Sequence, residues 1–352
     1  KSKGNVTDPL ELINDYGADS LRFTLISMAS PGRDIKLSKD RVIGNRNFIT
    51  KIWSANHFLN LNKCKLNNKV DFKKIKLPIN HFIYNEFIET NNLTTKHLEN
   101  YRFDEACRVV YKFVWHSYCD WYLEFLKPVF NSKNKSSIEE ARNFSAFMMS
   151  NILKILHPFI PFLSETMWKK NKYNTFFSTF LINSDWSIAK KQTSYKKNHK
   201  DIASIMKIIT SIRSTKSELN ITPKLFCDIV FSGQSKLLKK LINANVEIIK
   251  EVGRVNNIFD KKNSNDSLIE ILVLKEKISL KFDKNTDINS QKIRILEKIK
   301  VLEKKISVLD NKLQNKAFLK NAPSDIIKND KELLTDLSIE ENKLRSIVLS
   351  IN

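Results

Sequence analysis

Glycine and proline are scarce in this sequence of 352 residues, which contains only 6 Gly and 8 Pro. A sandwich or barrel of many short strands needs frequent turns, and turns depend on these residue types. The scarcity therefore excludes a many-stranded β architecture and predicts a mainly α fold. With 41% hydrophobic residues, the chain can bury a sizeable core, and its length suggests about two to four domains.

Cysteines and long apolar runs are also limited. The four cysteines, Cys64, Cys107, Cys119 and Cys227, form no Cys-x-x-Cys pair, so we expect neither a disulfide scaffold nor a metal site. No run of about 18 apolar residues is present, and the charged start lacks the apolar segment of a signal peptide. These absences predict a cytoplasmic protein with no membrane association.

Acidic residues are outnumbered, because 60 Lys and Arg against 38 Asp and Glu give a formal net charge of +22. This excess favours a polyanionic partner, since each cation placed on a phosphate releases condensed counterions. A solvated Lys-rich surface is the alternative explanation for much of the charge. Nucleic acid is therefore the partner class that the composition favours.

Hydrophobic periodicity predicts four regions. Residues 1–70 carry connecting helices, and residues 71–200 carry three long helices that form a bundle. Residues 201–286 mix a helical pattern with short apolar runs, which predicts a small α/β unit. Residues 287–352 predict an antiparallel coiled-coil hairpin.

Local signals place several helix boundaries and core positions. We expect Asp8 or Thr7 to cap a helix that opens at Pro9 and breaks at Tyr16–Gly17, and a Lys- and Asn-rich linker over residues 60–77. The predicted core positions of the second helix are Ile49, Ile52, Trp53 and Leu59. Those of the middle bundle helix, Phe103–Leu126, are Val110, Val114, Tyr118, Trp121 and Phe125.

The sharpest repeat lies near the C-terminus. Apolar residues spaced alternately four and three apart form a coiled-coil seam, namely Ile295, Ile299, Leu302, Ile306, Leu309 and Leu313. Nine basic and three acidic residues occur over Lys292–Lys320, whereas Pro323–Asn352 has four basic and six acidic. The first helix of the hairpin is therefore basic and, at about 1.5 Å per residue, can track a folded RNA over roughly 45 Å. Its predicted RNA-binding cations are Lys292, Arg294, Lys298, Lys304 and Lys305.

The opening residues Lys1–Asn5 form a short basic segment that contains Gly4. Ammonium groups on such a loop can stabilise a departing pyrophosphate. An exposed basic terminus without this role is the alternative explanation for the same residues. The segment resembles the KMSKSKGN loop of class I aminoacyl-tRNA synthetases without its first three letters. Its continuation, Asp8–Ser38, is similar to the valyl-tRNA synthetase family, most diagnostically at Ser30–Ile35.

The resemblance extends along the whole chain. Trp115–Glu124 and Leu156–Glu165 resemble signatures of the family's anticodon-binding domain, and Ile212–Ser214 with Glu218 and Pro223 resembles its next landmark. Residues 312–323 are similar to the hinge of its C-terminal arm. By resemblance Lys1 is the catalytic lysine, and the ATP-binding residues are Lys1, Ser2, Lys3, Gly4 and Asn5.

The resemblance implies an enzyme that forms Val-tRNA from valine, ATP and tRNA through valyl-adenylate, with magnesium accompanying ATP. The nucleotide-binding sheet and the editing domain are not among these residues. We therefore expect this fragment to bind valine-specific tRNA as a monomer, to hold no cofactor stably and not to catalyse. Cations beside polar or aromatic groups suit an anticodon. The candidate anticodon contacts are Arg41, Arg46, Lys51, Arg102 and Arg108.

Two alternatives remain open at this stage. An isoleucyl- or leucyl-type synthetase shares the loop and the bundle, although the terminal hairpin and Pro31–Asp34 argue against it. A non-catalytic RNA-binding coiled-coil module would explain the heptads and the charge, but not the opening loop. Individual residues also have structural explanations: we expect Trp115, Trp121 and Trp168 in the core, His116 and Cys119 packed, and His157 at a helix end rather than as a general base.

Overall fold

The computed structural model describes residues 8–32, 34–35, 37–67, 70–186, 196–231, 236–260, 268–274, 276–282, 288–315 and 324–350. The chain divides into two compact units, Lys1–Ala203 and Ser204–Asn352, which are treated separately below. The proposed ATP-binding residues Lys1–Asn5 and much of the proposed arm hinge lie outside the described ranges. None of the helices described has the length and apolar character needed to cross a bilayer.

The first unit is built from helices. They are α1 Pro9–Tyr16, α2 Ala18–Met28, α3 Lys39–Leu61, α4 Pro78–Glu99, α5 Phe103–Lys112, a π-helical segment Phe113–Tyr122, α6 Leu123–Phe130, α7 Lys135–Leu156 and α8 Pro161–Lys170, with 3-10 turns at Phe72–Lys74, Tyr173–Thr175 and Leu181–Asn183. Helix α9, Lys196–Glu218, begins in this unit.

The predicted boundaries of the first helix are confirmed. The Asp8 carboxylate accepts a hydrogen bond from the backbone N–H of Leu10 at 2.9 Å, and Pro9 occupies the first helical position, where no N–H is needed. Gly17 ends the helix with a φ of +87°, a conformation that residues with a Cβ rarely adopt. The chain therefore turns sharply into α2, and Leu12 packs with Leu21 and Val42.

The middle bundle helix contains a π-helical segment that the sequence pattern did not predict. Ten residues, Phe113–Tyr122, follow the wider π-helical turn. This turn rotates the buried stripe, so Tyr122 is fully buried while Trp121, a predicted core residue, is only half-buried. A regular 3.6-residue period could not predict this displacement.

Three other core predictions for the first unit, those for Ile49, Trp53 and Trp115, need correction. Ile49 is only half-buried. Trp53 on α3 is 39% exposed, because Val42, Phe48, Ile52 and Ala55 occupy the buried face. Trp168 is fully buried as predicted, but Trp115 is half-buried, and the His116 side chain is 59% exposed.

The predicted linker over residues 60–77 also differs from expectation, because Cys64 and Leu66 are buried. Glu140 on α7 accepts hydrogen bonds from the backbone N–H groups of Lys76 and Leu77, both at 2.9 Å. Tertiary contacts therefore hold this polar segment against the bundle.

The second unit contains the predicted α/β structure. Its elements after α9 are β1 Cys227–Phe231, α10 Lys236–Ala244, α11 Val246–Gly253, β2 Val255–Phe259, β3 Leu268–Val273, β4 Glu276–Lys281, α12 Ile288–Gln314 and α13 Ser324–Ser350. The strand order is β2-β1-β4-β3, in which β1 pairs parallel with β2 and antiparallel with β4. The sequence analysis did not predict β2, which is not one of the apolar runs.

A buried lysine ties α9 to this sheet. The ammonium of Lys216, which is 2% exposed, donates to the carbonyls of Leu225 at 2.8 Å, Arg254 at 3.3 Å and Gly253 at 3.4 Å. Arg213, in one of the family-like landmarks, donates to the Val252 carbonyl at 3.0 Å. These bonds satisfy carbonyls at the strand ends, and burial lowers the pKa of Lys216.

Helices α12 and α13 form the predicted hairpin. Ile295, Ile299 and Leu302 are buried in the seam, and Leu344 on α13 is buried with them. Seam positions nearer the hinge, Ile306, Leu309 and Leu313, are only half-buried. The hairpin is therefore best packed near its base, where α13 also contacts β3.

Candidate nucleic-acid interface

The cations predicted on α3 fall into two groups. Arg41 and Arg46 are exposed, and the Arg46 guanidinium donates a 3.5 Å hydrogen bond to the Asn47 side chain. Lys51 is instead half-buried, 2.6 Å from an Asp120 carboxylate oxygen and 4.0 Å from the centroid of the Trp115 ring. Only the two arginines project from the helix as the hypothesis of phosphate contact requires.

The Trp115 ring that faces Lys51 lies in an aromatic stack. Tyr111 and Trp115 are nearly parallel, with ring centroids 5.4 Å apart, and Phe48 lies below at 6.3 Å from Trp115. Asp120 also binds the His116 ring nitrogen at 3.2 Å. The π-helical segment thus places a lysine, a histidine and an aspartate together. His116 is engaged by Asp120 on the surface rather than packed beside Cys119, which is buried.

Arg102 and Arg108 flank a pair of acidic residues. Arg102 donates two hydrogen bonds of 3.1 Å to Asp104, and Arg108 donates to Glu105. The Arg102 guanidinium, with help from a Ser30 hydroxyl, holds the pKa of the Asp104 carboxyl well below its usual range. The predicted cations are present at the surface, but each is already paired with a carboxylate.

An open cleft of about 300 Å³ lies beside this group. Its walls include Ser27 from α2, Asn45 from α3, and Glu105 and Tyr111 from α5. Asn45 donates to the Thr24 hydroxyl at 2.9 Å, which fixes its amide. Two aromatic side chains, Phe23 and Tyr111, also line the cleft. Because Glu105 and Arg108 both line it, its mixed charge distinguishes it from a simple phosphate site.

The family-like segment Leu156–Glu165 joins two helices of the unit. The Asp19 carboxylate on α2 accepts from the backbone N–H groups of Phe162 at 3.3 Å and Leu163 at 2.7 Å, and so caps α8. His157 contacts the Ser164 hydroxyl at 2.8 Å, and burial lowers its pKa. The prediction that His157 is a hydrogen-bonding residue at a helix end is confirmed.

The first unit carries exposed aromatic rings beside lysines, an arrangement that the sequence analysis did not predict. Three of these rings each lie under a lysine ammonium, with distances of 4.6 Å for Trp53 and Lys170, 4.6 Å for Phe180 and Lys169, and 4.8 Å for Phe177 and Lys154. The sequence signal was the cluster of phenylalanines at 176–180 after a Lys-Lys pair, in a segment without helical periodicity.

The cations predicted on the hairpin lie along α12. Arg294, Lys304 and Lys305 are exposed, and Lys292 is half-buried. Lys298 forms an ion pair of 2.7 Å with Glu340 of α13. Three of the five predicted cations on this helix thus extend into solvent, away from the seam.

The described residues contain no cluster of three or more His, Cys, Asp and Glu side chains placed to hold a metal ion. All four cysteines are free thiols in buried positions. Burial raises the pKa of the Cys64 and Cys227 thiols to about 11. These thiols are therefore protonated at neutral pH and unsuited to nucleophilic chemistry.

Three family models match different parts of the chain. They are described as the anticodon-binding domain of tRNA ligase, matching residues 80–231, the valyl tRNA synthetase tRNA binding arm, matching residues 287–351, and tRNA synthetases class I (I, L, M and V), matching residues 1–38. The first contains the bundle and α9, and the second coincides with the hairpin.

Individual relatives match nearly the whole chain. The valine–tRNA ligase of Pelagibacter ubique (strain HTCC1062) is 39% identical over 98% of this chain and 39% of its own length. That of Rhizobium meliloti (strain 1021) is 34% identical over 98% of this chain and 36% of its own. A solved ternary complex of Agrobacterium radiobacter K84 agnB2 LeuRS with tRNA and LeuAMS has 13% identity and a TM-score of 0.41, covering 74% of this chain and 31% of its own. The chain thus spans less than half the length of the curated relatives it matches.

Proposed function

Because the chain belongs to the valine–tRNA ligase family of class I tRNA synthetases, we propose that it is the tRNA-binding part of an enzyme that joins valine to its tRNA. The first unit holds the anticodon end, and the α12–α13 hairpin holds another part of the folded tRNA. The protein acts as a monomer in the cytoplasm. An isoleucyl- or leucyl-type synthetase is not favoured, because residues 287–351 match the arm model of the valyl enzymes.

The observation that carries this proposal is the exposed basic side of α12. Arg294, Lys304 and Lys305 are held on a helix whose opposite side is fixed by the seam. Cations on such a rod can follow a phosphate backbone without reorganising the protein, so the entropic cost of binding is small. Arg41 and Arg46 on α3 supply the corresponding exposed cations of the first unit.

The proposal extends to ATP only through the opening loop. The ammonium groups of Lys1 and Lys3 and the hydroxyl of Ser2 are donors suited to a triphosphate, and in the complete enzyme magnesium would accompany that nucleotide. Lys1 would stabilise the charge that develops on the phosphates as pyrophosphate leaves. These 352 residues by themselves are expected to bind tRNA without forming an adenylate.

A titration of fluorescent tRNA over a salt series tests the proposal. Valine tRNA should bind more tightly than isoleucine tRNA, and the affinity should fall steeply as salt rises, because counterions are released from each contacted phosphate. No valine-dependent pyrophosphate exchange should be detectable. Equal, weak binding of both tRNAs would contradict the specific assignment.

The matched control replaces a seam residue by a charge. Ile299→Asp should weaken tRNA binding because it opens the hairpin, whereas Val301→Asp, at a position 52% exposed on the same helix, should leave the hairpin closed. A loss of affinity in both variants would indicate that negative charge, and not the arm's geometry, is responsible.

A further inference from the structure

An open cleft of about 400 Å³ lies in the second unit, where β1 and β2 begin and β4 ends. Its lining includes Phe226 just before β1, Asp228 on β1, Asn256 and Asn257 on β2, and Lys281 at the end of β4. Strands β2 and β4 lie outside the ranges that the family models match. The cleft therefore needs an explanation of its own.

The walls of the cleft are fixed by buried contacts. The Lys216 ammonium, which is buried, donates to the carbonyls of Leu225 at 2.8 Å and Arg254 at 3.3 Å. The Cys227 N–H donates to the same Arg254 carbonyl at 3.1 Å. The segments that carry Phe226 and Arg254 are thereby tied together at the start of the two parallel strands.

Arg254 occupies a backbone conformation in which glycine is favoured. It follows α11 with a φ of +55°, in the left-handed region that glycine adopts without strain at helix ends. Its guanidinium carbon lies 5.6 Å from the centroid of the Phe226 ring, which is 40% exposed. Strained residues that the surrounding structure holds in place cluster at functional sites. Here the strained position presents a cation beside an exposed ring.

The side-chain amide of Asn257 is oriented by Asp228. The Asp228 Oδ1 atom accepts from the Asn257 backbone N–H at 3.0 Å and from the Asn257 Nδ2 at 3.3 Å. The amide oxygen is thus directed away from Asp228, and Nδ2 carries a second hydrogen. An acceptor beside a donor matches the amino group and N7 of adenine, which is the pairing that an Asn amide makes with this base.

The ring, the amide and the cations are close enough to serve one ligand. Phe226 and Asp228 both line the cleft and, at about 3.3 Å per residue, lie roughly 7 Å apart along the chain. A base placed against the ring therefore has its edge within reach of the amide that Asp228 orients. Lys281 is the partner of Asp228 in the β1–β4 register, so with Arg254 two cations accompany one carboxylate. This balance favours a ligand that carries a phosphate.

We propose that this cleft binds an adenine nucleotide, with the base stacked on Phe226, its amino edge on the Asn257 amide, and its phosphate beside Arg254 and Lys281. The site lies in the α/β unit rather than in the bundle, the arm or the opening loop, so the proposal goes beyond the proposed function. A free nucleotide and an unpaired adenosine of RNA share this chemistry. Uracil should bind poorly, because it presents a carbonyl where adenine presents its amino group.

The test measures binding of fluorescent N-methylanthraniloyl-AMP to the full 352-residue chain, with unlabelled AMP and UMP as competitors. AMP should compete about tenfold better than UMP. Phe226→Leu keeps apolar bulk but removes the π-face, so the Kd for the probe should rise about tenfold. The matched control is Phe259→Leu, because Phe259 is 43% exposed at the opposite end of β2. It should bind the probe like the parent protein.

A second variant separates binding from folding. Arg254→Gly relieves the left-handed backbone, so thermal melting should be unchanged or shifted upward. The Kd for the probe should nevertheless rise about fivefold, with a weaker salt dependence, because a cation is removed from the phosphate. Asn257→Ala should abolish the preference for AMP over UMP while the fold is kept, since the backbone N–H still donates to Asp228.

The remaining arms identify the source of the nucleotide and exclude another site. Penta-adenylate RNA that binds much more tightly than AMP would assign the cleft to RNA, and equal affinities would assign it to a free nucleotide. Both results support the proposal. Equal competition by AMP and UMP, or no binding of the probe at millimolar protein, would overturn it. A loss of binding in Lys1→Gln/Lys3→Gln but not in Phe226→Leu would overturn it as well, because the nucleotide would then lie at the opening loop.

Discussion

The bundle of the first unit and the hairpin of the second are both helical, but they differ in the depth of their cores. In the bundle, Tyr122, Phe125 and Trp168 are completely enclosed. In the hairpin, the buried seam residues Ile299 and Leu302 each retain 5% exposure, and two helices provide only one contact face each. The same secondary structure therefore gives a thick core in one region and a single apolar seam in the other.

This difference also determines which charges are available. On the bundle, Lys51, Arg102 and Arg108 are each paired with neighbouring carboxylates. On the hairpin, Lys304 and Lys305 lie on a helix that has one side packed and the other in water. The comparison shows that net charge counts cations, whereas packing decides which of them a polyanion can reach.

The largest change in stability is expected from a cavity in the thick core of the bundle. Phe125→Ala should lower the free energy of unfolding of the bundle by about 3–5 kcal/mol, because a fully buried ring is lost. All five tryptophans lie in the first 203 residues, so the tryptophan fluorescence transition in urea reports the bundle alone. If far-UV circular dichroism and fluorescence shifted together over their full amplitudes, the two regions would unfold as one.

The next effect is expected in the seam. Ile299→Asp should destabilise the hairpin by about 2–3 kcal/mol, since a carboxylate is placed where no partner can satisfy it. Hydrogen exchange of amides in α12 and α13 should accelerate while the tryptophan transition stays unchanged. Slower exchange in both helices would contradict the predicted destabilisation of the hairpin. A shifted fluorescence midpoint would show that the seam and the bundle do not unfold independently.

Alkaline pH should destabilise the bundle. Burial raises the pKa of Cys119 to about 12 and that of Cys64 to about 11, and it raises the pKa of the enclosed Tyr118 and Tyr122 well above the usual value for tyrosine. The unfolded chain then releases these protons at lower pH than the native one, so stability is fully present below pH 8 and is lost as pH rises. We expect a loss of about 1–2 kcal/mol between pH 8 and 9.5 in urea melts followed by tryptophan fluorescence.

The contribution of the thiols can be separated by comparing slopes. In a variant with Cys64→Ala and Cys119→Ala, the stability should fall less steeply over the same pH interval, whatever the absolute cost of the two cavities. An unchanged slope would assign the alkaline effect to other groups.

A smaller effect distinguishes exposed from paired cations. Lys304→Gln and Lys305→Gln should each reduce the slope of log affinity for tRNA against log salt by about one contact and weaken binding about two- to fivefold. Arg108→Gln should change the slope less, because Glu105 already neutralises that guanidinium. Equal slopes for all three variants would remove the contrast between the two regions.

The smallest expected effect is at Tyr118. Its hydroxyl is buried, with no hydrogen-bond partner among the residues that the structure describes. Tyr118→Phe should therefore change the free energy of unfolding by less than about 1 kcal/mol, in the stabilising direction, since no bond is lost. A marked destabilisation in urea would show that the hydroxyl is solvated by buried water.

The sequence-based predictions succeeded where a few neighbouring residues decide the structure. The Asp8 cap, the Pro9 start, the break at Gly17 and the heptads of α12 all depend on contacts within one or two helical turns. The family-like motifs likewise indicated tRNA ligases before any geometry was known. The assignments of individual tRNA contacts stay predictions, because a single cation looks alike in a sequence whether it is paired or exposed.

The predictions that failed concern features that depend on residues far apart in the chain. Strand β2 is short and polar, and it forms because β1 offers it a parallel partner. The linker over residues 60–77 is covered because Glu140, more than 60 residues away, accepts its N–H groups. The exposure of Trp53 follows from which face of α3 the rest of the bundle covers.

The amino-acid sequence by itself determined the helical class, the helix ends, the coiled-coil seam and the basic character of α12, because these arise from composition and from interactions between near neighbours. Only the tertiary structure decided which lysines and arginines remain open to a polyanion and which aromatic rings lie beside a lysine ammonium. The physical reason is that burial and ion pairing are set by the packing of distant segments, as when Lys170 of α8 comes to lie over Trp53 of α3.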